Sequence, residues 1–401
     1  MRRALAFVIA LALGGCTTVT APPAAPASAP PPHHVWAAFD SQRILASGAA
    51  GLADRGSGRA LTIDDPVRIA SVSKLVVALG VMRLVEEGKL DLDGDVSDIL
   101  GWRLANPAFP NDKVTLRRLL SHRSSLRDGI DYALPLGASL KDSLANPAAF
   151  DAEHRPGGFF RYSNLNFPVV ATVMEKATGE RFDRLMQRLV LTPLGLSACF
   201  NWTTCRPEAP KRAVVLYAGD GSVLRDDLKG APPPCPVVPA ADRSCDLSGY
   251  VPGTNGALFS PQGGLRISAR DLAIVGRLLL NRGMKDGRRF LSEGSIAAML
   301  SPQWRFDGTN GDTEGGFYCA YGLAIQILPN SRPGCSDDLL GDGTVLRGHA
   351  GDAYGVRSGL WIDERRRRGM AYFAVAQGDD AAKGRTAFRA AEEWLARKAR
   401  R

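Results

Sequence analysis

The 401-residue sequence has only five histidines and seven cysteines, and no two cysteines stand at the C-x-x-C spacing of structural zinc sites. His33 and His34 adjoin and the other three are scattered, so no Cys/His cluster points to a metal, and neither metal nor cofactor is expected. Asp91-Leu92-Asp93-Gly94-Asp95 has calcium-loop residue types, but its glycine is fourth rather than sixth and the twelfth position is Trp102. It reads as a helix-exit loop. Neither charge sign dominates: 50 Lys plus Arg face 41 Asp plus Glu, a net +9 spread along the chain, which argues against a nucleic-acid partner. No internal repeat stands out. At 45% hydrophobic and 23% charged, what remains is an ordinary globular composition.

Met1-Arg2-Arg3 precedes ten apolar residues, Ala4 to Leu13. That is half the roughly 20 residues a membrane span needs, and matches a signal peptide over residues 1–15. Cys16 follows Leu13-Gly14-Gly15, as in a bacterial lipobox, and would become the lipidated first residue of an exported protein. Residues 16–34 form a Pro/Ala-rich tether with no charge from Thr17 to Pro32. By resemblance to known lipoprotein sorting, Thr17 in place of an aspartate after the cysteine implies the periplasmic face of an outer membrane. Loss of residues 1–15 lowers the charge from +9 to +7 and sets Cys16 apart from six others. The spacing of those six favours three local disulfides: Cys199 with Cys205, Cys235 with Cys245, and Cys319 with Cys335.

Two strands, Val35 to Asp40 and Gln42 to Leu52, are expected as a hairpin, and strand patterns return at Tyr321 to Leu328, Val356 to Ile362 and Gly369 to Ala376. The last two are joined through Arg365 to Arg368, read as a solvated hairpin tip. Helices are expected from Ser71 to Gly88, at Thr115 to Leu120, Phe167 to Thr178, Arg181 to Leu191, Ala269 to Asn281 and Thr386 to Arg397. Residues 199–253 are rich in Pro, Gly and Asp and hold four cysteines, so they read as an irregular, disulfide-tied insertion on a cleft rim. Strands at both ends predict an α/β fold in which residues 35–100 and 255–395 share a sheet part and residues 101–254 form a mostly helical part.

Ser71-Val72-Ser73-Lys74 opens the first helix. Residues three apart share a helix face, so Lys74 can aim its amine at the Ser71 hydroxyl, a weak nucleophile that needs a nearby base. The helix start also presents the Ser71 backbone N–H to a developing oxyanion. S-x-x-K alone is weak, occurring about once by chance in a chain this long. Tyr162-Ser163-Asn164 adds a phenol that can carry a proton and an amide that can bind a carbonyl. His349-Ala350-Gly351, expected just ahead of the strand at Val356, adds a close backbone approach to a ligand.

In that order the three motifs resemble the serine β-lactamase and penicillin-binding-protein superfamily, in its branch of class C β-lactamases, D-alanyl-D-alanine carboxypeptidases and esterases. Arg68 to Lys74, Glu87 to Asp93, Leu119 to His122, Pro156 to Asn164, Gly263 to Arg266 and Gly348 to Gly351 all match in sequence order, over roughly residues 35–395. The resemblance implies a β-lactamase-like sandwich, an antiparallel sheet flanked by helices with both termini in the sheet part. It makes Ser71 the acylated nucleophile, Lys74 and Tyr162 the acid/base pair, and Asn164, His349 and Gly351 substrate-binding residues. The backbone N–H groups of Ser71 and Asp352 become the oxyanion donors. His349 stands where class C β-lactamases carry a lysine, and an imidazole is a poorer site for a lactam carboxylate. An esterase or carboxypeptidase is therefore expected over an efficient β-lactamase, acting on a small molecule or a peptidoglycan peptide. The rival reading is a non-catalytic wall-binding lipoprotein that keeps the cleft.

Overall fold

The computed structural model describes residues 29–378 and 380–400; the leader, Cys16 and most of the tether lie outside these. Eight antiparallel strands form one sheet: β1 (His34–Asp40), β2 (Ile44–Ala50), β3 (Trp304–Arg305), β4 (Ala320–Tyr321), β5 (Gln326–Leu328), β6 (Leu346–Ala353), β7 (Val356–Asp363) and β8 (Arg368–Ala374). Their spatial order is β3-β4-β5-β6-β7-β8-β1-β2, so the amino-terminal hairpin joins the sheet beside its carboxyl-terminal strand, His34 opposite Ala374.

Alternation along the strands explains how both faces are covered. Val35, Phe39, Leu360, Ile362, Ala371 and Phe373 enter one core, and Trp361, Met370, Tyr372 and Ala374 enter a second. Five of the helices bear on the sheet or the site: α1 (Val72–Glu86), α2 (Leu116–Leu120), α3 (Asn166–Thr178), α4 (Ala269–Leu280) and α5 (Ala390–Arg400). α4 lies on the first face, where Gly276 admits the Phe39 ring: a Cβ there would stand 2.2 Å from it. α5 closes the second with Leu395, Ala396 and Ala399. α1 is buried at every position from Val72 to Met82, a helix apolar all round because it runs between the sheet and the helical part. The helical part is anchored by α3, which ends at Gly179 in the left-handed conformation (φ 67°).

The structure departs from the expected elements in four places. Tyr321 to Leu328 is two short strands, β4 and β5, because Gly322 and Ala324 (φ 54°) turn the backbone inside an apolar run. Arg181 to Leu191 starts as an α-helix at Phe182–Met186 and widens into a π-turn at Gln187–Leu191. The last helix begins at Ala390, with Thr386 and Phe388 in the loop before it. His349-Ala350-Gly351 does precede the strand at Val356, as expected, but itself lies in the middle of another strand, β6.

Residues 199–253 carry little regular structure beyond the Ala209–Arg212 helical turn, the strand Cys199–Phe200 and a small hairpin, Leu216–Tyr217 with Val223–Arg225. Cys199–Phe200 pairs with Leu265–Ile267, which also pairs with Val67–Arg68, so the insertion leaves the fold beside the segment that leads to Ser71. Its far end is tied to α3 by buried Glu175, which accepts hydrogen bonds from Tyr250 and from the Gly253 N–H, both at 2.7 Å. The structure pairs Cys199 with Cys205, Cys235 with Cys245 and Cys319 with Cys335. The Asp91 to Asp95 loop is spent on protein partners: Asp93 pairs with Arg117, and Asp95 accepts from the Ser97 N–H at the next helix start. Among the described residues no helix is long and apolar enough to cross a membrane.

Candidate active site

Ser71 sits one residue after Ala70, whose φ of 53° is unfavourable for a residue with a Cβ. The turn is held from several sides. Ser73 Oγ donates to the Ala70 carbonyl (2.6 Å) and accepts from the Leu265 N–H (3.2 Å), and Ser358 Oγ in β7 donates to the Ile69 carbonyl (2.8 Å). This sharp entrance leaves Ser71 at the mouth of a buried helix, facing a cleft of about 940 Å³. The Ser71 N–H has no hydrogen-bond partner among the described residues.

One turn on, Lys74 is fully buried. Its Nζ lies 2.9 Å from Ser71 Oγ, 2.9 Å from Asn164 Oδ1 and 2.9 Å from the Gln262 carbonyl. Two of those partners are carbonyl oxygens that can only accept. A neutral amine satisfies both with its two N–H bonds and keeps its lone pair for the Ser71 hydroxyl. Burial pushes the Lys74 pKa down to about 7, against the attraction of Asp128 and Glu314.

Tyr162 stacks between His122 (4.3 Å between ring centres) and Tyr318 (4.6 Å). Its hydroxyl lies close to those of Ser71 and Tyr318 yet is buried without a well-formed hydrogen bond. Burial raises its pKa well above the ordinary phenol value, so it is a proton donor at neutral pH. Asn164 lines the cleft, its amide oriented by donation of Nδ2 to Asp128 (3.0 Å) and acceptance from Lys74.

Asp128 is the residue that the sequence reading missed. Its carboxylate accepts from Ser163 Oγ (2.7 Å), the Asn164 N–H (3.0 Å), Asn164 Nδ2 (3.0 Å) and the Leu165 N–H (2.9 Å). It thereby shapes the Tyr162-Ser163-Asn164 turn and caps the approach to α3. An Asp-Gly pair after a loop reads as a turn, and only the turn's proximity to Ser163 gives it a role. Asp128→Ala leaves four donors to find water. It is expected to lower kcat/KM by about tenfold to a hundredfold and stability by about 1–3 kcal/mol, checked by steady-state kinetics and thermal melts.

The third motif serves through backbone rather than side chain. β6 and β7 close around Tyr354 and Gly355 with Ala353 opposite Val356, and both turn residues have positive φ (52° and 71°). In that register Gly351 and Ala353 pair with β7, and the Asp352 N–H points the other way. β5 reaches β6 only as far as Gly348, so the edge carrying Asp352 opens on the cleft beside Ser71. Gly351 is needed for closeness: a Cβ there would come within 2.2 Å of Ser358 Oγ and 2.6 Å of the Ile69 carbonyl.

The His349 expectation needs correction. Its ring is fully buried, with Nε2 2.6 Å from the Tyr321 hydroxyl, and does not line the cleft. Burial drives its pKa down to about 3, so it is neutral and stands behind Tyr162 instead of facing substrate. His122, likewise buried and held neutral by burial, accepts from the Ser163 N–H through Nδ1 (3.1 Å). One group, Asp151, Glu153 and His154, brings three potential metal-ligand atoms within 4.8 Å, but Asp151 is already bonded by His154 and Arg161.

A family profile described as Beta-lactamase matches residues 32–393. The chain is 31% identical to "Penicillin-binding protein 4" of Amycolatopsis lactamdurans over 257 residues, 63% of this chain and 60% of that protein. It is 36% identical to "Esterase EstB" of Burkholderia gladioli over 202 residues, 45% of this chain and 49% of that one. The chain thus spans from just under half to three fifths of these relatives' lengths. Among solved structures it is similar to EstCE1, "a hydrolase with promiscuous acyltransferase activity", with a TM-score of 0.67 at 23% identity, covering 92% of this chain and 93% of that one. D-amino acid amidase from Ochrobactrum anthropi SV3 gives a TM-score of 0.64 at 18% identity with the same coverage, and at these identities both likenesses speak to fold. With the matched span enclosing all three motifs, the chain belongs to the beta-lactamase family, within a serine hydrolase superfamily of penicillin-binding proteins and esterases.

Proposed function

We propose that the protein hydrolyses an ester or amide through an acyl-enzyme on Ser71. The observation that carries this reading is the buried Lys74 amine 2.9 Å from Ser71 Oγ, with a pKa brought down to about 7. Lys74 takes the Ser71 proton as Oγ attacks the carbonyl carbon, and the oxyanion forms against the Ser71 and Asp352 N–H groups. Tyr162 O–H protonates the leaving group and is reprotonated from Lys74. Water then follows the same route in reverse, giving the acid and restoring Ser71.

The buried, neutral His349 places no positive charge beside the oxyanion strand. A β-lactam carries its carboxylate on the carbon next to the scissile nitrogen, as a D-Ala-D-Ala peptide does, and both would miss that charge, so an ester fits better than either and an efficient β-lactamase is disfavoured. The basic leader, the cysteine after Leu13-Gly14-Gly15 and three disulfides support export as a lipoprotein anchored at Cys16 on the periplasmic face of the outer membrane.

The test is a rate panel of a short-chain aryl ester, a D-Ala-D-Ala peptide and nitrocefin, with Ser71→Ala as blank. Ester turnover at least tenfold above nitrocefin, absent from the blank, is the expected result. Binding without turnover across the panel would refute it in favour of a wall-binding protein.

A further inference from the structure

One end of the cleft carries uncompensated positive charge. The guanidinium groups of Arg68, Arg225 and Arg266 gather around a single carboxylate, Asp226. Asp226 is taken: it binds Arg266 Nη2 at 2.8 Å and accepts from Trp202 Nε1 at 3.0 Å. The other two arginines lie against one aromatic ring, Arg68 at 4.9 Å and Arg225 at 5.0 Å from the centre of Tyr354. Neither makes a guanidinium hydrogen bond or ion pair among the described residues, and Arg68 Nε is buried with no partner at all. Leaving a buried charged donor unpaired is costly, so the arrangement favours an anion that completes it.

Placement makes this end part of the working cleft. Arg68 and Tyr354 line it together with Ser71, and Arg68 stands three residues before the nucleophile on the strand paired with Leu265–Ile267. Of the other cations lining the cleft, Lys383 is exposed to solvent. Arg357 pairs with Asp352, and Arg389 donates to the Ala381 carbonyl. On the Tyr162 side the cleft is lined instead by two acids, Asp128 and Glu314.

We propose that Arg68, supported by Arg225 and Tyr354, forms a subsite for a carboxylate carried on a flexible arm of the substrate. A planar guanidinium stacked on a ring presents its remaining N–H groups in a fork that matches a carboxylate. Although burial and the neighbouring Arg266 pull the Arg68 pKa down to about 10, the group stays charged at neutral pH. Arg225 and Asp226 belong to the disulfide-tied insertion, so the insertion helps choose the substrate. This specificity deepens the hydrolase reading and rests on it.

The experiment compares mono-p-nitrophenyl adipate with p-nitrophenyl hexanoate, esters of equal acyl length that differ in a terminal carboxylate. The wild-type protein is expected to prefer the adipate. Arg68→Gln should lower the ratio of kcat/KM values at least about tenfold, Arg68→Lys should keep part of the preference, and Arg225→Gln, on an exposed hairpin, should lower it less. A ratio unchanged in both glutamine variants overturns the proposal. A second readout needs no turnover: calorimetry on the Ser71→Ala protein with monomethyl adipate, an acid on a flexible arm, and with methyl hexanoate. Tighter binding of the acid, erased by adding Arg68→Gln, supports the subsite even if no ester is cleaved, in which case the hydrolase reading alone fails. Equal or absent binding of the two ligands sinks the subsite while leaving hydrolysis standing.

Discussion

Lys74→Ala is expected to reduce kcat/KM by about 10³–10⁴-fold, close to the loss from Ser71→Ala, because the two act as one unit and their effects do not add. The distinguishing signature lies in pH. With its pKa near 7, Lys74 is an ammonium in more acidic solution and has no lone pair for the Ser71 proton. The wild-type kcat/KM should therefore fall as pH drops through about 7 and level off above it, and the residual activity of Lys74→Ala should lose that acid limb. A wild-type profile flat from pH 5 to 9 would exclude Lys74 as the base. The buried histidines do not confuse the profile, since burial keeps His349 near 3 and His122 well below its ordinary value.

Tyr162→Phe is expected to cost about 10²–10³-fold in kcat for an alkyl ester or a peptide, whose leaving groups must be protonated as they depart. For a p-nitrophenyl ester, whose leaving group is stable as an anion, the loss should be much smaller. The same variant should melt no lower than wild type, because the buried hydroxyl has no well-formed hydrogen bond to lose and the ring contacts with His122 and Tyr318 persist. Equal losses on both ester types would mean that Tyr162 works on the nucleophile instead of the leaving group.

How far the sequence predicts this site depends on how local each part is. Ser71 and Lys74 are three residues apart on a helix whose apolar spacing is plain, so their contact follows from helix geometry alone. The α3 boundary at Gly179 is equally local. Asp128 is different: it acts on residues 35 to 37 positions away, and nothing in its own surroundings marks that reach. β6 was hidden because Gly348 and Gly351 blur its alternation and because Tyr354-Gly355 is not a common pair for a tight hairpin turn. The burial of His349 depends on Tyr321, which lies across β5 on another strand, and the apolar spelling of residues 321–328 conceals the turn between them. The charge at Arg68 becomes visible only when the insertion's Arg225 and Asp226 are brought beside it.

The position of β1 between β2 and β8 bears on how the chain acquires its shape. His34 and Ala374 are partners, so the amino-terminal hairpin must wait for almost the whole polypeptide before its second edge is covered. Contacts so distant along the chain make folding slow and keep an unpaired strand edge exposed meanwhile. The oxyanion strand β6 is likewise stitched into the sheet by β7 and β8, which lie late in the chain. A chain lacking residues from 368 onward would have no closed sheet behind the Ser71 and Lys74 helix. Catalytic competence should therefore emerge in one step, when the two ends of the chain meet in the sheet, rather than accumulate motif by motif.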